Sequence, residues 1–148
     1  MSTPTAETEL ASTLALELRT IFRKIKRHLR EQGVQGDLTP SQVSVVLRLE
    51  EGGSATVSRL ARAEGMRPQS MSAVITPLQD AGLVDGVPDP TDGRQTLMHL
   101  TPKCLKWLRE GRAARQDWLT TRISQKLSIR EQEKLQASLG LLMRLVED

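Results

Sequence analysis

From Glu7 to about Gln32 the apolar residues Leu10, Leu14, Leu18, Ile21, Ile25 and Leu29 return every three or four positions. That is the period of one face of a long amphipathic helix. Arg19, Arg23, Lys24, Lys26, Arg27 and Arg30 stand away from that stripe, and "GVQGD" ends the segment. A second helix follows at "LTPSQVSVVLRLEEGG", with Thr39 as cap, Pro40 at the first helical position and Gln42 placed for a capping box. Gly52 and Gly53 stop it.

"TVSRLARAEGM" reads as a short helix with Val57, Leu60 and Ala61 inward, closed by Gly65. Pro68 opens another, striped by Met71, Val74, Ile75 and Leu78 and ended by Gly82. Pro77 inside it forgoes the bond to the Ala73 carbonyl and predicts a kinked last turn. Two strand-like runs follow, about Leu83 to Val87 and Gln95 to Leu100, with turn residues between them. Thr101 and Pro102 then start a long helix through Trp107, Leu108, Trp118, Leu119 and Ile123. Ser128 and Glu131 form a further capping box, launching a last helix with Leu135, Leu139, Leu142 and Leu145 on one side.

The predicted fold class is mainly α with a small β-hairpin wing. Short helix, glycine turn, second helix and hairpin outline a winged helix-turn-helix, flanked by helices from both termini. In such a motif the second helix enters the major groove of a duplex. The segment 68–82 suits that task, because Gln69, Ser72 and Thr76 lie away from its apolar stripe. Gln69 can bond an adenine edge, and Ser70 or Ser72 a base or a phosphate. A helix pair with Ser and Gln outside also occurs in helical domains that bind no DNA. Charge does not decide between them. From Thr39 to Lys103 six basic residues (Arg48, Arg59, Arg62, Arg67, Arg94, Lys103) face seven acidic ones (Glu50, Glu51, Glu64, Asp80, Asp85, Asp89, Asp92).

Composition narrows the classes. At 148 residues, with 26% charged and 38% hydrophobic residues, the chain suits one compact folded unit with its own core. The single cysteine excludes an internal disulfide framework and fits a reducing cytoplasm. No apolar run is long enough to span a bilayer, and the start "MSTPTAETEL" carries no secretory pattern. Two tryptophans, one phenylalanine and no tyrosine argue against base-stacking platforms.

The stretch "TVSRLARAEGMRPQSMSAVITPLQDAGLVDGVPDPTDGRQTLMHLTP" resembles the core of MarR-type bacterial transcriptional regulators, named for multiple antibiotic resistance. The likeness lies in "LA" of the first helix, "LxxxGLV" before the wing, and "DPxDxRxxxxxLT". The flanking helices match in layout too. The resemblance implies a cytoplasmic homodimer whose terminal helices, 7–32 and 103–147, interlock through Leu10, Leu14, Leu18, Leu135, Leu139 and Leu142. It implies a winged lobe over 39–102 that binds a pseudo-palindromic double-stranded operator, mostly as a repressor. Arg67, Gln69, Ser70, Ser72 and Thr76 would serve the major groove. The wing, about 83–100, would place Arg94 in the minor groove, with Asp92 holding it and Gln95 beside it. Small aromatic or anionic effectors release many members. No cofactor, metal, membrane or enzymatic activity is implied.

The chain departs from the family pattern in places. Many members carry a second wing arginine where this one reads Asp85, Gly86, Val87. Ala73 stands where a basic residue is usual, Pro77 where a polar one is frequent, and Cys104 where glycine is usual. These departures motivate an alternative: a dimeric protein-interaction or structural module of the same fold with weakened DNA recognition. Other candidates fit less well. Cys104 falls in the first turn of a helix, where the dipole lowers a thiol pKa and raises the idea of a redox sensor, but a lone cysteine is more often inert. His28 and His99 share no metal-ligand spacing, and Asp89 and Asp92 lack the oxygen pattern of a calcium loop. No Ser/His/Asp or Cys/His grouping supports hydrolysis. The basic helix face suits solvent, phosphates, an acidic ligand or a membrane surface. Trp107 and Trp118 read as dimer core.

Overall fold

The computed structural model describes residues 5–32 and 38–148, so the "GVQGD" terminator lies outside the described residues. Among the described residues, six helices and three short strands follow in the order α1 (Ala6–Glu31), α2 (Pro40–Gly52), β1 (Ser54–Thr56), α3 (Val57–Ala63), α4 (Pro68–Asp80), β2 (Val84–Pro88), β3 (Thr96–Leu100), α5 (Pro102–Lys126) and α6 (Ile129–Met143). Local chemistry sets most of these boundaries. Thr39 accepts the Gln42 N–H while the Gln42 side chain takes the Thr39 N–H, and Ser128 and Glu131 repeat that box on α6. Each such cap contributes about 1 kcal/mol. The Glu131 carboxyl is held below its usual range by the backbone N–H and then the hydroxyl of Ser128.

Strand β1 has no counterpart in the sequence reading. It pairs antiparallel with β3, so the sheet has three strands in the order β1-β3-β2 rather than a lone hairpin. Three residues carry too little alternation to announce a strand, and Thr56 does double duty as the cap of α3. β3 is central, with Met98 opposite Ala55 on one side and Gly86 on the other. Pro77 lies inside α4, as read from the sequence. The helix runs on to Asp80, and the Ala81 N–H donates to the Pro77 carbonyl at 3.0 Å.

The chain divides into two compact units, Val34–Gly111 and Met1–Gly33 with Arg112–Asp148. In the first, Val45, Val46 and Leu49 of α2 meet Leu60 of α3, Met71 and Leu78 of α4, Met98 of β3 and Cys104 of α5 in a closed apolar core. The first turns of α5 therefore build this core, and Trp107 packs against it, contrary to the reading of Trp107 as dimer core. Helix α5 starts in this unit and ends in the other. In the second unit α1 and α6 bury no residue fully. There Trp118 stacks on His28 with ring centroids 5.5 Å apart, the Arg122 guanidinium lies 5.8 Å from the Trp118 ring centre, and Arg115 Nε donates to the Leu29 carbonyl at 3.2 Å.

Candidate nucleic-acid interface

Helix α4 separates its two faces cleanly. Met71, Ile75 and Leu78 are buried, while Gln69, Ser70, Ser72, Ala73 and Thr76 are exposed, as is Arg67 at the N-cap. Gln69, Ser70 and Ser72 thus present short polar groups to solvent, whereas the Thr76 hydroxyl donates to the Ser72 carbonyl at 2.9 Å. Thr76 keeps its methyl and its oxygen lone pairs for a ligand, but its proton is already used.

The position of α4 is set from both ends. At its C-terminus Gly82 turns the chain with φ 72°, a conformation that other L-residues adopt only with strain. The Thr101 hydroxyl donates to the Gly82 carbonyl at 2.6 Å, and Lys103 Nζ donates to the Ala81 carbonyl at 2.8 Å. A cation and a hydroxyl from the start of α5 thus satisfy carbonyls that the helix end leaves open. The turn before α4 is anchored by Glu64, whose carboxylate accepts from the Ser44 hydroxyl and the Arg48 Nε of α2. These two bonds, Ser44 first, hold the Glu64 carboxyl below its usual range. Arg48 also donates to the Ala63 carbonyl at 3.3 Å. Neither Arg48 nor Lys103 stood out in the sequence, because their partners lie far along the chain.

The wing tip is organised by its own aspartates. The loop closes where the Asp89 N–H donates to the Gln95 carbonyl at 2.9 Å and the Gln95 N–H to the Asp92 carbonyl at 3.0 Å. Asp89 Oδ1 accepts the Thr91 N–H and hydroxyl, at 3.0 and 2.8 Å. These bonds, the backbone one first, keep the Asp89 carboxyl below its usual value, with smaller help from the Asp92 N–H and the Arg59 charge on α3. Asp92 Oδ1 accepts both the Arg94 N–H at 3.2 Å and Arg94 Nε at 3.1 Å. The arginine is held at its neck, yet its side chain is 92% exposed, and its two terminal nitrogens make no bond among the described residues. An aspartate turn that could have been a calcium loop is thus a hairpin tip whose Oδ1 atoms serve local donors. Arg59 is the residue near this tip that sequence reasoning passed over. Only its charge marked it, and α3 shows no periodicity that singles it out.

Across the wing, the Gly86 position is tightly filled. A Cβ placed there would stand 2.6 Å from Thr96 Cγ2 and 3.2 Å from Met98 Sδ. A side chain at position 86 would therefore require Thr96 and Met98 to shift. Cys104 fits the inert reading of a lone cysteine rather than the sensor. It is fully buried, and burial, then the Glu50 charge, pushes its thiol above the ordinary range rather than below it. Desolvation disfavours the thiolate at this position, which runs against a redox-sensing role.

The buried-and-exposed division of α4, with the arginine-tipped hairpin after it, defines a winged helix-turn-helix of the DNA-binding class. Comparison with known proteins agrees. Residues 36–95 match the MarR family. An HTH-type transcriptional regulator of Mycobacterium tuberculosis is 34% identical over 135 residues, covering 91% of this chain and 94% of that protein. Among solved structures, YusO from Bacillus subtilis superposes with a TM-score of 0.71 at 26% identity, over 97% of this chain and 98% of that one. MepR of S. aureus, solved bound to an oligodeoxyribonucleotide, shares the fold at a TM-score of 0.73 and 20% identity, over 90% of this chain and 98% of its own. The chain belongs to the MarR family of HTH-type transcriptional regulators. It is a DNA-binding regulator and not an enzyme.

Proposed function

We propose that this regulator acts in the cytoplasm as a homodimeric repressor on a pseudo-palindromic operator, with α4 in the major groove and Arg94 in the minor groove. The observation that carries the reading is Arg94. Its backbone N–H and Nε are fixed by one carboxylate oxygen, and its terminal nitrogens are left open at a hairpin tip. Such a group suits the narrow, electronegative minor groove of A·T-rich duplex. Gln69, Ser70 and Ser72 supply the major-groove contacts, Arg67 a phosphate contact at the helix N-terminus, and Gln95 closes the tip that carries Arg94.

Dimerisation is supported by the apolar side chains that α1 and α6 leave in water. Leu10 is 62% exposed, Leu14 49% and Leu139 51%, with Leu135 exposed and Leu18 and Leu142 half-buried. A second copy covers such a surface with the same residues by twofold symmetry. A small anionic effector is supported by Arg115. Its Nη2 is buried with no hydrogen-bond partner among the described residues, on the helix that carries the Trp118–His28 stack. Release by such a ligand requires that it bind two dimer geometries with different affinity.

Fluorescence polarisation against the DNA upstream of its own gene tests the reading. We expect operator binding well above that of random duplex, with half-sites about one helical turn, roughly 34 Å, apart. Equal affinity for both sequences would favour the interaction-module alternative. A thermal-shift screen of aromatic acids checks the effector, and no stabilising hit would remove it.

A further inference from the structure

The winged unit is electrostatically poor for a protein that must hold a polyanion. Between Thr39 and Lys103 its cations do not outnumber its carboxylates. Phosphate contacts supply much of the affinity of DNA-binding proteins, and nearly all of their non-specific binding. The charge is elsewhere. From Arg19 to Arg30 every charged side chain of α1 is basic. Arg19, Arg23, Lys26, Arg27 and Arg30 recur at helical spacing and form one strip, on the side of α1 away from Leu14, Leu18, Ile21, Ile25 and Leu29. All five are exposed, and among the described residues no carboxylate lies within ion-pair distance of any of them. Glu31, at the end of the helix, pairs with His28 instead, at 3.7 Å.

We propose that this strip is a second, sequence-independent DNA-binding surface that takes the phosphate backbone of a duplex. At about 1.5 Å per residue the strip runs about 16 Å along the helix axis. A strand winds round the duplex as it rises, so successive phosphates lie about twice as far apart along the backbone as the rise of about 3.4 Å, and a straight strip of that length meets about three of them. Five cations serve them, four of them arginines, whose planar fork bonds phosphate at two points. A membrane surface fits worse. An interfacial helix sinks its apolar face into the lipid, and on α1 that face is the one proposed to meet a second copy, which takes it away from a membrane. The covering of that stripe by a second copy leaves the strip open, so the inference does not rest on the proposed operator reading.

The test replaces Arg19, Arg23, Arg27 and Arg30 together by glutamine, which retains helix propensity and length. Binding of the full chain to a random-sequence duplex is measured across a salt series by polarisation, with circular dichroism checking the fold. We expect the slope of log affinity against log salt to become shallower by about 0.9 for each phosphate that is no longer neutralised, thus by about 2 to 3. The ratio of operator to random affinity stays the same. In the wild-type chain, a duplex protects the same four arginines from phenylglyoxal, read by mass spectrometry, which tests the idea even if the variant folds poorly. An unchanged slope, or no protection, overturns the proposal. So does wild-type binding to phosphatidylserine vesicles that the variant loses while its DNA slope stays fixed. Loss of operator preference in the wild type, with a strip-dependent slope retained, would sink the repressor reading and leave this one standing.

Discussion

The two compact units of this chain solve the burial problem in opposite ways. In Val34–Gly111 the large apolar residues turn inward, and Val45, Met71, Leu78 and Cys104 lose all contact with water. In the unit made of both termini, Leu10, Ile21, Phe22, Leu139 and Leu141 remain largely in water, although their helices have caps and periodicity as good as any in the chain. Helix quality is thus not what separates the units. One completes its core within a single chain, and the other offers a surface that becomes a core only against something else. Charge divides them as well, with the basic strip on the unit that is not the reading head.

Breaking that contrast gives the largest expected effect. Leu139→Glu puts a charge into the exposed stripe of α6, and twofold symmetry makes it enter a dimer twice. Sedimentation velocity should show a monomer, with operator affinity reduced more than about 100-fold, an energy of about 2.7 kcal/mol. If the stripe faces only solvent, both quantities stay put. Next comes Leu49→Ala, in the closed core, which should cost about 2–5 kcal/mol in urea unfolding. Leu141→Ala, at a position 60% exposed, should change stability by less than about 0.5 kcal/mol in a single chain. A larger loss for Leu141 would itself report a partner surface.

Arg94→Ala should remove about 1–3 kcal/mol of operator affinity and relax sequence preference under the wing, with no measurable change in melting temperature. Unchanged affinity would take the wing finger out of the mechanism. The smallest effect belongs to Glu64→Gln, which weakens the tie between α2 and the turn before α4 and should cost about 1 kcal/mol at neutral pH. The Glu64 carboxyl is depressed in the folded state, so its contribution is whole above its ordinary value of 4.5 and fades as pH falls through the lower folded value. Wild type and variant should therefore converge in stability on acidification. A gap that stays constant as the pH is taken well below 4.5 would contradict this.

Much of this architecture was legible without coordinates. Helical stripes at Leu10 to Leu29 and Met71 to Leu78 follow from the geometry of 3.6 residues per turn, and capping boxes at Thr39 and Ser128 from the local reach of a hydroxyl. The turn between β2 and β3 was legible too, because Asp, Pro and Gly mark such turns, whereas the role of Arg94 in it was only what the family resemblance implied. What escaped depends on partners distant in sequence. Strand β1 exists because β3 offers it an edge. The Cys104 thiol is pushed up because it lies in the closed core of the winged unit, a depth that its place in the first turn of a helix does not announce. The space at Gly86 is taken up by Thr96 and Met98 across the strand, a closeness that no local pattern announces. Local spacing determined which segments are helices and which side chains they offer. Only tertiary contact decided which of those faces are sealed, which thiol is silenced and which arginine is held by its neck, because burial and desolvation are properties of neighbours the chain brings together by folding.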